Sequence, residues 1–497
     1  MVESNKSPLP ILFLLLSAAV GCAILGLYLW VISADWFLGD DFAFLAHVQR
    51  PWSWLQVFLP LEHRFWWAYR PIGMDAYFYL CFKLFGWNAS GFFGVTLAAH
   101  AITGIVLYRL ARQLGFDIPA AVSAALLALS RFPSITNVTL ACTFHYTAAV
   151  LFHLLSLSLF LDYSRSRRLV FQLGACFCFA LALLCNELVL NLPCLLLLAS
   201  LYLDGFRLSL ATITRALRAC WPYFALAALF LAFRYLVIAE VERPYLYVLG
   251  LDWHVPINSF VHLSILAGSS LSLLVALALM ALAGLGLAPA RSRRRELWAH
   301  IARVWGLCLP WLLAMLLPLS LIPFAMDRFT MPSQIPAALL FCVPLDALWK
   351  AHAGRGRISR IALQVALPAL LLASLPWYQV RVRAAFSRGP YMRALQQTVA
   401  RAYPEPRPGT VIKILYGGKC RAEAGVAEQY RGDSFGGAAI YSRYPMKRIL
   451  VLYEDVTRTP ADALLCPKCV YLNLLPSYLV EPVGKRELAR ELLGLKP

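Results

Sequence analysis

ILFLLLSAAVGCAILGLYLWVISADWFLGDDFAFL, residues 11–45, joins two incompatible environments in one stretch. From Ile11 to Ile32 the side chains are apolar, aromatic or small, over the length of α-helix that the hydrocarbon core of a bilayer requires. The run is too long for the apolar core of a signal peptide, and no convincing small-residue cleavage site follows it, so it reads as a retained first span. Directly after it come Asp40 and Asp41, two adjacent carboxylates at the lip of the bilayer.

The rest of the chain repeats the apolar half of that pattern. Of 497 residues, 60% are hydrophobic and 14% charged, which excludes a water-soluble core and predicts a multi-span membrane protein. Further apolar windows fall near residues 92–112, 118–131, 144–162, 168–185, 188–204, 219–239, 263–288, 301–322, 331–349 and 361–379, giving about eleven spans in all. The formal charge of +19 sits largely in short clusters between those windows, so no nucleic-acid partner is expected. Most of the 13 cysteines lie within apolar segments and behave as small core residues. Cys466 and Cys469, in CPKC, suit a local disulfide better than half a zinc site.

Charge also orients the spans. With the N-terminus in the cytoplasm, the predicted cytoplasmic turns hold Arg109 and Arg112, SRSRR ending at Arg168, Arg207 with Arg215 and Arg218, RSRRRE from Arg291, and KAHAGRGRISR ending at Arg360. The opposite loops are mixed or acidic, with Asp40, Asp41 and Glu62, then Glu187, then Glu240, Glu242 and Asp252. The expected architecture is an all-α polytopic membrane domain over 1–380, its first outer loop (34–90) carrying interfacial helices. A small extracytoplasmic α/β domain over 381–497 follows, in which TVIKILYGG, MKRILVLYE and CVYLNLLP have strand composition, while MRALQQTVARAY and GKRELARELLGL look helical. Usage rich in Ala, Leu and Arg leans toward a bacterial inner membrane, with that domain in the periplasm.

The first outer loop is dense in Trp, Phe and Tyr, rings that favour the membrane interface. Embedded in it are GDD, EHR and YRP. A carboxylate there, near His63, Arg64 and Arg70, can serve as base toward an acceptor while the cations hold an anionic donor. Adjacent carboxylates also raise one another's proton affinity. The same pair equally suits a helix N-cap or a solvated turn. At the same outer level lie His145, Glu187, Arg234 and Asp327 with Arg328. Ionisable groups at span ends are candidates for function or for interhelical pairs. His100, within a span, suits a hydrogen bond between helices better than a metal.

Taken in order, these pieces resemble the GT-C class of membrane glycosyltransferases, in the branch that includes protein O-mannosyltransferases and aminoarabinose transferases. GDDFAFL resembles the family's outer-loop acidic motif. YRPIGMDAYFYLCFKLFGWNASGFFGVTLAAHAITGIVLYRLARQLG resembles its RP segment, FG turn and His-bearing second span. ALLALSRFPSITNVTLACTFHYTAAVLFHLLSLSLFLDYSRSRR, CNELVLNLP and LIPFAMDRFTMPSQIPAALL are similar to later pieces. Two positions depart from the pattern: Arg131 stands before Phe132 and Pro133 where His before Pro is usual, and Asn186 stands where Lys is common.

The resemblance implies transfer of a sugar from a polyprenyl-phosphate donor to an acceptor hydroxyl on the outer face, with inversion. Asp40 would be the base, with Asp41 orienting the acceptor or sharing the proton. Arg70, Arg234 and Arg328 would hold the donor phosphate, and His63, His100, His145 and Glu187 would line the cavity. The acceptor is a protein, a lipid or a glycan. No cofactor is assigned, and a divalent metal is not called for, because Arg alone can stabilise a phosphate leaving group. The rival reading is a transporter or flippase of a lipid-linked sugar, which should place ionisable residues at mid-membrane and show repeated halves. A scaffold with a partner-binding outer domain is a third reading.

Overall fold

Helix α1 (Ile11–Ala34) is apolar all round because it faces lipid on one side and protein on the other. Val20, Ile24, Leu27, Tyr28 and Val31 repeat at helical spacing and are buried, while Leu25, Leu29 and Trp30 stay exposed on the opposite side. The computed structural model describes residues 11–34, 37, 40–49, 57–58, 69–130, 132–238, 253–268, 291–321, 330–352, 397, 401, 411–416, 450–455, 469–474 and 480–483.

After α1 come α2 (Asp40–Val48), a π-helical turn (Pro71–Ala76), α3 (Tyr77–Phe85), α4 (Ala89–Gln113), α5 (Ile118–Leu129) and α6 (Phe132–Thr139). A 3-10 turn (Ala141–Thr143) leads into α7 (Phe144–Ser166), and α8 (Leu169–Cys185) returns to a second 3-10 turn (Glu187–Asn191) and α9 (Leu192–Leu203). Next are α10 (Leu210–Ile238), α11 (His254–Gly268), α12 (Arg291–Ser320) and α13 (Met331–His352). Among the described residues, Leu15–Ser33, Ala89–Gln113, Ala141–Ser166, Leu210–Arg234 and Arg295–Ser320 are long and apolar enough to cross a membrane, and three shorter apolar helices accompany them. The molecule is a polytopic helical membrane protein. The windows 269–288 and 361–379 lie outside the described residues.

Two expectations change. Arg109, Arg112, Arg215, Arg218 and Arg291, expected in turns, belong to α4, α10 and α12, whose helices extend beyond their apolar stretches. Helical hydrogen bonding continues past the hydrocarbon edge because the backbone gains nothing by stopping there. The aromatic loop also does more than anchor the interface: Phe37, Phe42, Phe44 and Phe78 are buried. Phe37 meets Phe92 edge to face at 5.0 Å, Phe44 stacks on Phe78 at 5.0 Å, and Tyr77 lies flat on Phe144 at 4.0 Å. These rings fasten α2 and α3 to the ends of α4 and α7. Leu80 and Leu84 keep the outward face of α3 apolar.

Helix α7 is the axis of the bundle, packed by α4 on one side and α8 on the other. Ala148 and Ala149 on α7 and Ala175 and Ala182 on α8 are buried, and small side chains permit the close approach that drives helix association in lipid. Ser156 donates to the Ala175 carbonyl at 2.7 Å, adding an interhelical tie. At the far end of the bundle, Asp346 on α13 accepts from the Asp117 backbone N–H at 2.6 Å and from His300 on α12 at 2.8 Å. Basic residues Arg109, Arg112, Arg165, Arg167, Arg215 and Lys350 all fall at that same end.

Toward the C-terminus, β1 (Val411–Tyr416), β2 (Leu450–Asp455), β3 (Cys469–Leu474) and β4 (Val480–Val483) form one sheet in the order β2-β1-β3-β4. β1 pairs in parallel with β2, Val411 opposite Leu450, and with β3, Val411 opposite Cys469. β4 runs antiparallel to β3, Tyr471 opposite Val483. Three of these strands coincide with the strand-like runs of the sequence; the fourth, containing Pro482, sits at the sheet edge, where a missing N–H is tolerated. Cys466 and the C-terminal helical run GKRELARELLGL lie outside the described residues.

Phe92 is fully buried at the centre of the ring cluster. Phe92→Ala is expected to lower stability by about 3–5 kcal/mol, read as a fall in the thermal unfolding midpoint of the purified protein in detergent.

Candidate functional site

A π-helical turn opens the site. Pro71 occupies its first position, where its missing N–H costs nothing, and Arg70 precedes it with φ −135° and ψ 59°. That turn lies against α7 and α8 so closely that a Cβ on Gly73 would stand 2.6 Å from His145 Cβ and 2.9 Å from the Cys185 carbonyl oxygen. Only glycine fits there, and the fit delivers the Arg70 side chain to the junction between α7 and the second 3-10 turn.

At that junction Arg70 Nε donates to Glu187 Oε2 at 3.0 Å and its Nη2 donates to Oε1 at 2.7 Å, a two-pronged pair. Arg234, near the end of α10, approaches the same carboxylate, its Nη1 3.3 Å from Oε2. Tyr69 and Phe233, the residues just before these arginines, meet edge to face at 5.0 Å, so the ring contact and the shared carboxylate fix α10 to the loop before the π turn. Side-chain exposures of 10%, 17% and 22% for Arg70, Arg234 and Glu187 leave the group sheltered yet reachable. The two guanidiniums hold the Glu187 carboxylate from two sides.

His145, in the first turn of α7, completes this side. Asn186 Nδ2 donates to His145 Nδ1 at 2.7 Å, and Asn186 Oδ1 accepts from Leu188 N–H at 2.9 Å, capping the 3-10 turn. A neutral imidazole offers one acceptor nitrogen, and Asn186 takes it. Arg70 Nη1 reaches the other side of the same ring, 3.3 Å from His145 Nε2.

One turn earlier along the same segment, the Cys142 N–H donates to Asp41 Oδ1 at 2.6 Å, with the Asp41 side chain fully buried. Asp41 thereby satisfies a backbone donor at the positive end of α7 and binds α2 to it. Asp40, the first residue of α2, is only partly buried. Both carboxylates occupy the first turn of α2, whose dipole favours their charged forms and opposes the mutual repulsion that adjacency imposes.

The sequence thus named most of the group, and the structure gathers Asp41, Arg70, His145, Glu187 and Arg234 around the start of α7. His100 does not join it. Its Nε2 lies 3.2 Å from the Tyr28 hydroxyl and 3.3 Å from the Leu129 carbonyl oxygen, tying α1, α4 and α5 together deeper in the bundle. His63, Asp327, Arg328 and Arg131 lie outside the described residues. Gly73 and the Cys142 N–H escaped the sequence reading, since neither a close approach nor a single backbone donor leaves a composition signal. Among the described residues, no three His, Cys, Asp or Glu side chains gather as a metal site.

No protein-family model matches the chain, and no curated protein matches it. Solved structures do. ArnT from Cupriavidus metallidurans in the apo state aligns over 94% of this chain and 93% of that one, with a TM-score of 0.52 at 13% identity. ArnT from the same organism bound to undecaprenyl phosphate aligns over 93% of each chain, with a TM-score of 0.52 at 12% identity. The apo oligosaccharyltransferase of Archaeoglobus fulgidus gives a TM-score of 0.51 at 12% identity, over 88% of this chain and 64% of that one. This chain shares the membrane fold of these ArnT and oligosaccharyltransferase structures.

Gly73→Ala should displace the π turn and lower stability by about 1–3 kcal/mol, whereas Gly94→Ala, with nothing within 4 Å of the added Cβ, should be neutral. Glu187→Ala leaves two sheltered guanidiniums facing each other and should cost about 3 kcal/mol, which Glu187→Gln should only partly relieve. Thermal unfolding of the four variants beside wild type checks both expectations.

Proposed function

We propose that this chain is a glycosyltransferase that moves a sugar from a polyprenyl-phosphate carrier to an acceptor hydroxyl at the outer face of the membrane, with inversion at the anomeric carbon. The observation that carries the reading is the convergence of Arg70 and Arg234 on Glu187, next to the start of α7, the helix end to which Asp41 ties α2 and with it Asp40. The fold shared with a protein solved with undecaprenyl phosphate supports a polyprenyl carrier.

In this reading the acceptor oxygen forms a bond to the anomeric carbon as the bond from that carbon to the phosphate oxygen breaks. The leaving phosphate keeps the electron pair, and Arg70 and Arg234 offset its growing charge. Asp40 takes the acceptor's proton. Asp41, buried against the Cys142 N–H, holds α2 so that Asp40 stays in place. Arg328 would add a third cation, and His63 would line the cavity. His100 would support it from deeper in the bundle.

The arginines and lysine at the ends of α4, α7, α10 and α13 opposite this site support an orientation with the site facing away from the cytoplasm and the N-terminus inside. About eleven spans, a bacterial inner membrane and a periplasmic α/β domain over 381–497 complete the proposal.

Purified protein in lipid, given radiolabelled polyprenyl-phosphate sugars and a crude envelope fraction, should move label into the fraction. Asp40→Asn should lower that rate by about 10²–10⁴-fold with unfolding unchanged, and Arg234→Lys should raise the donor KM more than it lowers kcat. No transfer from any donor, with labelled lipid crossing the bilayer of reconstituted vesicles, would replace the enzyme by a transporter.

A further inference from the structure

At the other end of the same helices lies a second cationic recess that sugar transfer does not use. Tyr163 and Arg167 from the end of α7, with Leu210, Thr214, Arg215 and Arg218 from the first turns of α10, line a cavity of about 640 Å³. Three arginines converge there, and Asp204 offsets one of them from 4.0 Å at an exposed position, leaving two net positive charges. The Arg167 guanidinium sits 5.8 Å from the Tyr163 ring centroid, which steadies it over the recess. Arg167 also takes a left-handed backbone, φ 56°, that ends α7 and turns its side chain away from the helix course. The N-terminus of α10 opens on the same space and adds the positive end of a 29-residue helix.

The position along the helices sets the depth. Residues 145 to 163 of α7 cover about 27 Å at 1.5 Å per residue, close to the thickness of a bilayer's hydrocarbon core. The recess is therefore at one membrane surface and the Arg70 group at the other. One turn past Arg218 toward the bilayer, Trp221 on α10 is 63% exposed, and Leu173 on α8 is 61% exposed, an apolar wall with an interfacial ring. Guanidiniums at the water side and bare apolar side chains one or two turns deeper match the two parts of one molecule, an anionic headgroup with its acyl chains.

We propose that this recess binds one anionic glycerophospholipid of the leaflet opposite the Arg70 group, its phosphate held by Arg215, Arg218 and Arg167 and its chains laid along α8 and α10. Soluble phosphate would meet the same cations but has no use for the apolar wall. Bound lipid would pin the first turns of α10, the helix whose far end carries Arg234.

Native mass spectrometry of the purified full chain, titrated with phosphatidylglycerol or phosphatidylcholine, tests this. One phosphatidylglycerol should bind per chain, at least about tenfold more tightly than phosphatidylcholine, and Arg215→Gln/Arg218→Gln should weaken it by roughly thirtyfold. Arg295→Gln, which removes an exposed cation outside the recess, should leave it unchanged. Thr214→Trp should block the lipid while keeping every charge. Equal binding of the two lipids, or undiminished phosphatidylglycerol binding in both the double variant and Thr214→Trp, would overturn the proposal. So would full displacement of the lipid by millimolar inorganic phosphate, or preference for undecaprenyl phosphate over phosphatidylglycerol.

Discussion

The hydrogen bond from the Cys142 N–H to Asp41 is the contact on which the Arg70 end of this bundle depends. A helix that starts within a packed membrane protein leaves its first N–H groups without intrahelical partners, and water is not at hand to satisfy them. A fully buried carboxylate from α2 supplies one partner, and its charge suits the positive end of the α7 dipole. Once α2 is tied there, the rings of Phe42, Phe44, Phe78 and Phe92 close over the junction and keep it dry. The π turn then has one place to sit, against His145 and Cys185, where Gly73 allows contact.

From that seat follows the charge arrangement. Arg70 and Arg234 come from segments far apart in the chain and meet on Glu187, so three otherwise costly groups offset one another. Asn186, where the resembled family commonly has Lys, uses its amide to cap the 3-10 turn and to fix the His145 ring, so a neutral side chain takes the place of a third cation.

Charge is divided between the two ends of the helices. One end keeps its cations close-packed with carboxylates and rings; the other spreads Arg109, Arg167, Arg215 and Arg218 toward water. Asp346 secures that second end, accepting from the Asp117 backbone and from His300 and Lys350, which locks α12 and α13 to the loop before α5. Both ends of the bundle are thus pinned by buried carboxylates, one from α2 and one from α13, while the middle relies on small residues and apolar contact.

Sequence by itself determined the apolar helices, because membrane thickness fixes the length of an apolar run and no folding partner is needed to read it. It also determined three of the four strands, through their β-branched and aromatic composition, and it picked out Asp40, Asp41, Arg70, His145, Glu187 and Arg234 as ionisable groups set at the ends of spans. Only the tertiary structure decided who pairs with whom. Arg70 and Glu187 are 117 residues apart, and nothing local in either segment points to the other. It likewise moved His100 into an interhelical bond with Tyr28, turned the loop aromatics inward, and made Gly73 indispensable. Those outcomes depend on distances of a few ångströms between separate helices, and such distances exist only after the helices have packed.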